Sequence, residues 1–473
     1  RRFKAWCNNT IAKPRPLGGP YSWCVSLAIF IYLFKYIFSE NKIHVSDLKS
    51  KNALATFQRA LRASLLVGQV FSLMPVVGIA SNDASDVKFV KSSWKCFYSL
   101  LSLIGQVFMV VLCINKLGSS NVSLNATSPI IFYLITCITM VMFVQVARRW
   151  PALAQLVART EAADPHLNTT LTNKCNITCA VILTLALVEH VLSLVSVLAG
   201  ALACDPHKLT YEGFVTLSYP WVFNFLQYSP TLGIVIQFLH FQSTFIWNFS
   251  DLFVICMSYY LTSRLEQVNR KLLAAQRKYL PENFWRTARE DYCRVTQLVR
   301  TVDDVISGII FISFANNLFF ICLQLYNTLE DGWRGNGECS SKAKKTGLLG
   351  GYEAATYFLF SLVYLLSRSV AVSLIASQVN SASSVSAAVL YDVPSPVYCT
   401  EVQRFLDQVN GEKVALSGLQ FFSVTRGLLL TVAGTIVTYE LVLFQFNSPS
   451  PSAQNPTAFL PPATTVINNS TSS

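Results

Sequence analysis

The chain has 473 residues, of which 52% are hydrophobic and 13% are charged, about half the charged fraction of an ordinary soluble domain. Its formal net charge of +12 would indicate a nucleic-acid partner in a soluble protein, but here the basic residues flank long apolar runs. These numbers argue against a soluble domain and against nucleic-acid binding. They favour an integral membrane protein with an inside-positive charge bias.

Residues 1–94 are expected to form a cytoplasmic N-terminal region. Within it, 57–79 is predicted to be a helix that dips into the inner leaflet, because Gln69 and Pro75 interrupt an otherwise apolar run. A further apolar run at 21–38 has basic flanks and is long enough to be a marginal span. Whether it crosses the membrane is left open, as is the true N-terminus, since the sequence begins at Arg1 rather than Met.

Seven apolar stretches follow, each close to or above the roughly 20 residues that a bilayer core requires. They cover 95–116, 129–147, 175–203, 231–262, 300–328, 351–378 and 420–446. The predicted fold is an all-α integral membrane protein, with 95–446 forming a seven-helix ligand-binding and pore domain. Charged helical stretches near 264–300 and 400–420 are expected to extend beyond the bilayer as a cytoplasmic anchor.

The orientation follows from the placement of basic residues. Arg148 and Arg149 follow the second span, and the basic 264–300 region joins the fourth span to the fifth, which places both on the inner side. The N-terminus is then inside, and the polar tail 447–473 is extracellular. Glycosylation sequons agree with this topology, at Asn121, Asn125, Asn468 and Asn469.

The cysteines and histidines do not predict a metal site or an enzyme. No Cys-x-x-Cys pair or His–Cys cluster has the spacing of metal ligands. Glu189-His190 alone is too little for the nucleophile and base of an enzyme, so no catalytic residue, metal or cofactor is predicted. Cys204 ends the third span and Cys339 lies in the outer loop 329–350, so the two are predicted to form a disulfide.

The last apolar helix ends with Thr438-Tyr439, five further residues, and then Gln445-Phe446. The runs FIWNFSDLF at 245–253, SFANNL at 313–318 and VALSG at 414–418 precede it in the chain. Together these motifs resemble the sugar-receptor branch of the insect gustatory receptors, over about 58–446. The segments 21–38 and 447–473 depart from the usual pattern of that branch.

This resemblance implies a homotetrameric, sugar-gated, nonselective cation channel that functions as a sweet-taste receptor in the plasma membrane of gustatory neuron dendrites. It also implies a multi-pass protein whose partners are a sugar, membrane lipid, permeating Na⁺, K⁺ and Ca²⁺, and copies of itself or related gustatory receptors. By position, Val442 and Phe446 would constrict the central pore, with Gln445 beside them. At about 100° per residue, Thr438 and Tyr439 share this helical face.

A sugar pocket needs aromatic faces for C–H surfaces and amide or carboxylate partners for hydroxyls. The outer halves of the spans supply an unusually polar set for membrane depth. The candidates are Glu189, His190, Gln237, His240, Trp247, Asn316, Asn317, Gln324, Tyr352, Glu353 and Tyr357. Asp251, Arg368 and Arg426 lie deeper and are expected to form interhelical ion pairs rather than to bind the ligand.

A seven-helix receptor that signals through a G protein is the alternative. A rhodopsin-like receptor would have its N-terminus outside and an Asn-Pro-x-x-Tyr motif in the seventh span, whereas Asn455-Pro456 lies beyond the last helix. The sequence therefore favours the channel.

Overall fold

The computed structural model describes residues 57–81, 83–118, 124–164, 170–204, 210–331 and 353–447. Within these ranges the chain is helical apart from short connections and one two-stranded hairpin. The helices are α1 Phe57–Val70, α2 Trp94–Gly118, α3 Leu124–Ala163, α4 Leu171–Cys204, α5 Tyr211–Ser218, α6 Pro220–Phe223, α7 Pro230–Ala275, α8 Glu282–Asp331, α9 Glu353–Tyr391, α10 Thr400–Gly411 and α11 Arg426–Asn447. The hairpin strands, between α10 and α11, are β1 Ser417–Gly418 and β2 Phe422–Ser423.

Each of the seven predicted spans coincides with a long helix, namely α2, α3, α4, α7, α8, α9 or α11. Among the described residues, five helices are long and apolar enough to cross a membrane: α2, α3, α4, α8 and α9. The expectation of a helical, multi-pass membrane protein is thus confirmed.

Helix α7 is long enough to cross a membrane but is not among these five helices, because its sequence is too polar. Its surroundings explain how these polar residues are accommodated. Every residue from Asn248 to Ser258 is buried, so protein rather than lipid encloses this part of the helix. Polar groups of α7 such as Gln242 and Asp251 are tolerated because Ser102 of α2 and Asn317 of α8 are their hydrogen-bond partners.

Three predicted boundaries differ from the structure. Helix α1 ends at Val70 rather than at 79, because the Gln69 side chain donates to the carbonyl oxygens of Met74 at 3.0 Å and Val76 at 2.6 Å and folds the chain back. The stretch predicted as helical at 400–420 is helical only to Gly411. The hairpin then delays the last helix, which begins at Arg426 instead of 420.

One end of the bundle, called the anchor end from here on, gathers the turn at 276–281, α10 and the ends of α3 and α9. The Lys271 ammonium on α7 lies 2.8 Å from the carboxylate of Asp164, which follows α3, and 2.9 Å from that of Asp291 on α8. This lysine therefore joins α7 to the end of α3 and to α8. Arg289 Nε on α8 lies 2.9 Å from the Glu401 carboxylate on α10, and this hydrogen bond holds the pKa of Glu401 below its usual value. The helices predicted near 264–300 therefore form a packed, ion-paired unit.

Between the anchor end and the middle of the bundle lies an aromatic core. Phe143 on α3 has its ring centroid 5.4 Å from both Phe249 and Phe253 on α7. Trp150 adds a contact with Phe253 at 5.9 Å and one with Phe57 of α1 at 5.4 Å. Since all five rings are buried, they fix α1, α3 and α7 against one another.

Candidate functional site

A cleft lies between α3, α7 and α8, near the middle of the three helices. The cleft is narrow: about 270 Å³ of space lies between its walls when the open solvent at its mouth is included, and its interior has room for about one water molecule. Its lining residues are Phe132, Ile135, Thr136, Thr139, Ile246, Trp247, Ser250, Ile312, Ser313 and Asn316. Two of them, Trp247 and Asn316, belong to the set predicted from the sequence.

The walls of this cleft are aromatic. The ring centroids of Phe132 and Trp247 are 6.3 Å apart in an edge-to-face arrangement. Phe320 supports both rings, at 6.2 Å from Phe132 and 4.7 Å from Trp247. Such a pair of walls can receive the C–H faces of a ring-shaped polar molecule.

The polar groups of the cleft are hydroxyls and one amide. Thr136 and Ser250 donate to carbonyl oxygens of their own helices, at 2.9 Å and 3.0 Å, which leaves their lone pairs available as acceptors. Asn316 is 4% exposed, and its side-chain oxygen has no hydrogen-bond partner among the described residues. A buried amide oxygen without a donor is costly, so a ligand hydroxyl that donates to it would bind favourably.

Directly behind the cleft, Asp251 on α7 and Arg368 on α9 form a buried ion pair. Arg368 Nε lies 2.7 Å from the Asp251 carboxylate, and both side chains are 3% exposed or less. The carboxylate also accepts hydrogen bonds from Ser313 and from Asn317, the latter at 3.0 Å. The predicted interhelical pairing of these two charges is confirmed, whereas Arg426 has no carboxylate partner within the described parts of the chain.

The ion pair also orients the aromatic wall of the cleft. The Arg368 guanidinium lies over the Trp247 ring, 4.7 Å from its centroid. The indole N–H of Trp247 donates to Asn317 at 3.0 Å, and Arg368 donates to the same oxygen at 3.2 Å. Asn317 therefore supports Trp247 from behind instead of lining the cleft.

A second polar chain joins α4, α8 and α9. Ser361 donates to the Glu189 carboxylate at 2.6 Å and accepts from Gln324 at 2.9 Å. One turn further along α9, the Tyr364 hydroxyl donates to Asn248 at 2.8 Å. Glu189 and Gln324 are thus connected to each other but lie outside the cleft lining.

The two predicted histidines are neighbours. His190 on α4 and His240 on α7 have ring centroids 5.9 Å apart. The Tyr133 hydroxyl lies 3.0 Å from His240 Nδ1, and Phe132 packs against the same imidazole at 5.6 Å. The pair therefore stands behind the Phe132 wall.

The other candidates are more dispersed. Gln237 accepts a hydrogen bond from Tyr211 at 3.3 Å, and Glu353 is buried at the start of α9. Tyr357 follows one turn later and lies beside Glu189. The structure therefore places two of the eleven candidates in the cleft and several others in polar contacts around it.

Some predicted sites lie beyond what the structure describes. Tyr352, Cys339 and the sequons at Asn121, Asn468 and Asn469 fall outside the described residues. The predicted disulfide and these glycosylation sites stay predictions.

Sequence reasoning missed the hydroxyl residues of the cleft. Thr136 and Thr139 on α3, and Ser313 with Asn316 on α8, are polar pairs spaced by three residues on apolar helices. That spacing puts each pair on one helical face, and this pattern could have predicted the hydroxyl residues of the cleft from the sequence.

The predicted pore helix α11 presents apolar side chains to its surroundings. Tyr439 is 42% exposed, Val442 is 43% exposed, and Thr438 is also exposed. Gln445 and Phe446 lie in the last two turns of this helix. A helix exposed in this way requires lipid or another protein surface around it.

These features define a multi-pass helical membrane protein with a cleft lined by aromatic, aliphatic, hydroxyl and amide side chains. Its fold matches that of the insect olfactory receptor OR5 from Machilis hrabei, in a structure determined in complex with eugenol. The TM-score is 0.57 at 14% sequence identity, with 88% of this chain and 100% of that chain covered. At this identity the likeness shows the fold alone.

The sequence relatives are more specific. Residues 40–455 match the trehalose receptor family. The chain is 34% identical over 411 residues to the gustatory receptor for sugar taste 64f of Drosophila melanogaster, covering 86% of this chain and 84% of that protein. It is 34% identical over 397 residues to gustatory receptor 5a for trehalose of the same species, covering 83% and 85%. The chain belongs to the insect sugar gustatory receptor family and is a receptor, not an enzyme.

Proposed function

We propose that this receptor is a sugar-gated, nonselective cation channel for sweet taste. The observation that carries the proposal is the cleft between α3, α7 and α8, which combines aromatic walls with hydroxyl and amide groups. The names of its relatives refer to sugar taste and to trehalose, and sugars present the two kinds of surface that this cleft matches.

In the proposed binding mode, the sugar ring packs against Phe132 and Trp247, and a sugar hydroxyl donates to Asn316. Because the cleft is too narrow to hold a sugar in this structure, binding would favour a state in which α3 and α8 lie further apart. The difference between the sugar's affinities for the narrow and the wide state would supply the free energy for pore opening.

The pore is proposed to lie at the centre of a homotetramer, or of a heteromer with related receptors. The side chains of Thr438, Tyr439 and Val442 on α11 are exposed, which supports this arrangement because a membrane helix exposed in this way needs lipid or another protein surface around it. Val442 and Phe446 would form apolar constrictions, and the Gln445 amide would contact permeating Na⁺, K⁺ and Ca²⁺.

The anchor end is proposed to face the cytoplasm, with the tail 447–473 outside the cell. The basic residues at 264–300 support this orientation, and the sequons are then available for glycosylation. The same orientation exposes Cys204 and Cys339 to oxidising conditions, where we expect them to pair. The proposed location is the plasma membrane of gustatory neuron dendrites.

The test is expression of the full chain in cells without other gustatory receptors, followed by patch-clamp recording. Trehalose, sucrose, maltose, glucose and fructose are applied in turn, with G-protein signalling blocked. The expected result is unitary cation currents with at least one sugar. A response that disappears with the G-protein block would instead support the alternative of a G-protein-coupled receptor.

The site is tested by a pair of tryptophan variants. Trp247→Ala removes an aromatic wall, and we expect the half-maximal sugar concentration to rise about tenfold, equivalent to about 1.4 kcal/mol. Trp94→Ala is the matched control, because Trp94 lies at the start of α2 and is 75% exposed. Equal effects of the two changes would contradict the proposed site.

A further inference from the structure

The hairpin between α10 and α11 contains a strained turn. Ser417 pairs with Ser423, and Gly418 with Phe422. Three residues, 419–421, connect the strands, and Phe421 N–H donates to the Gly418 carbonyl oxygen at 2.9 Å. The two residues inside this hydrogen-bonded turn, Leu419 and Gln420, have φ angles of 48° and 63°. Consecutive positive φ angles are typical of type I′ turns, where Asn-Gly is preferred. Leu and Gln adopt them only where the surrounding structure holds the turn in place.

Asp303 on α8 provides this hold. The backbone N–H of Ser417 donates to Asp303 Oδ1, and the Ser417 hydroxyl donates to Oδ2, both at 2.6 Å. Both oxygens of the Asp303 carboxylate thus accept hydrogen bonds from Ser417, a single residue of β1. Hydrogen bonds to an ionised carboxylate are among the stronger ones in proteins.

Apolar contacts continue the attachment along α8. The Phe422 ring lies 5.5 Å from that of Phe314, and the Phe421 ring lies 5.7 Å from that of Phe311. These contacts are at the same level as Ser313, which faces the cleft. Helix α8 therefore carries the cleft on one face and the hairpin on another.

The other end of the same connection is tied to α9. The Asn380 side chain donates to the carbonyl oxygen of Val414 at 3.0 Å, and the Ser383 hydroxyl donates to it at 3.2 Å. After β2, α11 begins at Arg426. A displacement of α8 relative to α9 is thus applied to the short segment that leads directly into α11.

We propose that Asp303 is a positioning residue that makes the hairpin, and with it α11, follow the movement of α8. This proposal rests on the proposed function, in which a sugar displaces α8 and α11 lines the pore. Without the carboxylate, the strained turn relaxes and α8 moves without carrying the hairpin along. Sugar binding is then retained while pore opening is lost.

The experiment compares Asp303→Ala with Asp304→Ala in the full-length receptor. Asp304 is the next residue of α8 and its side chain is exposed, so it is a matched control. Binding is measured on purified receptor as the thermal shift given by trehalose, sucrose, maltose, glucose or fructose. Current is measured per receptor at the cell surface. For Asp303→Ala we expect a binding constant within about threefold of wild type and a maximal current at least tenfold lower.

A rescue variant separates positioning from a general role in folding. Gln420→Gly lets the turn adopt its φ of 63° without strain, so the hairpin needs less support. We expect Asp303→Ala combined with Gln420→Gly to recover at least a third of the wild-type current. Asp303→Asn, which keeps an oxygen for the Ser417 N–H, should lie between wild type and Asp303→Ala.

Three results would overturn the proposal. Asp303→Ala could match Asp304→Ala in current, it could lose sugar binding together with current, or Gln420→Gly could fail to rescue it. If the wild-type receptor gives neither a thermal shift nor a current with any of the five sugars, the proposed function itself fails and the coupling role fails with it. If the wild-type receptor binds a sugar and conducts current, any of the three results above refutes only the role proposed for Asp303.

Discussion

The buried ion pair between Asp251 and Arg368 allows a quantitative prediction. Arg368→Met removes the positive charge but keeps much of the side-chain volume. The Asp251 carboxylate then retains only the hydrogen bonds from Ser313 and Asn317, in a site where it is fully buried. Removing one partner of a buried pair usually costs about 3–5 kcal/mol, because the remaining charge has lost its counter-charge.

This cost can be converted into a melting temperature. With an unfolding entropy of about 2.1 cal/mol/K per residue, a chain of this length loses roughly 1 °C of Tm per kcal/mol. Arg368→Met should therefore lower the Tm by about 3–5 °C. Trp247 also loses the guanidinium over its ring, so the sugar response should weaken in the same variant.

The assay is a double-variant cycle on purified receptor, in which tryptophan fluorescence monitors thermal unfolding. Asp251→Asn and Arg368→Met are measured singly and together. Because Asn needs no counter-charge, the double variant should be more stable than Arg368→Met alone, with an interaction energy above about 1 kcal/mol. If the two single losses simply add, or each is below about 1 kcal/mol, the two groups are not coupled and the reasoning is wrong.

An epitope at Ser473 should be labelled on intact cells while one within 264–300 should require permeabilisation, and the reverse pattern would invert the proposed topology. Phe446→Ala should raise sugar-independent current by wetting an apolar constriction, and Gln445→Ala should change ion preference; unchanged currents in both would exclude this pore face. Since the Glu401 pKa lies below its usual 4.5, its bonds stabilise the anchor above that pH and the stabilisation is lost as pH falls through the folded-state pKa. Glu401→Gln should flatten the Tm-versus-pH curve, and an unaltered acid slope would rule this out.

The sequence predicted the helices well because their apolar runs are long. The start and end of α2, at Trp94 and Gly118, lie within two residues of the predicted span. The connections were less predictable. The backward turn after Val70 depends on Gln69 reaching carbonyl groups up to seven residues away, and no local propensity encodes that contact.

The candidate site was predictable only in part, because amides and charges signal a site more clearly than hydroxyls do. Trp247 and Asn316 were found through their residue types at membrane depth. Thr136 and Ser313 were missed, since threonine and serine are common in membrane helices, where they bond to their own backbone. Glu189 was also a candidate, but its carboxylate accepts a hydrogen bond from Ser361 and does not line the cleft.

The polar groups of α7 connect recognition to the stability of the fold. Trp247 faces the cleft, whereas Asp251, one turn further along α7, forms the ion pair with Arg368 of α9. Ser313 belongs to both environments, because it lines the cleft and donates its hydroxyl proton to Asp251. A sugar that draws on this hydroxyl competes directly with the hydrogen bond that satisfies a buried carboxylate. In the proposed binding mode, a sugar that takes this hydrogen bond would change the α7–α8–α9 packing, and such a difference between bound and unbound states is the physical condition for a ligand to act on a distant pore.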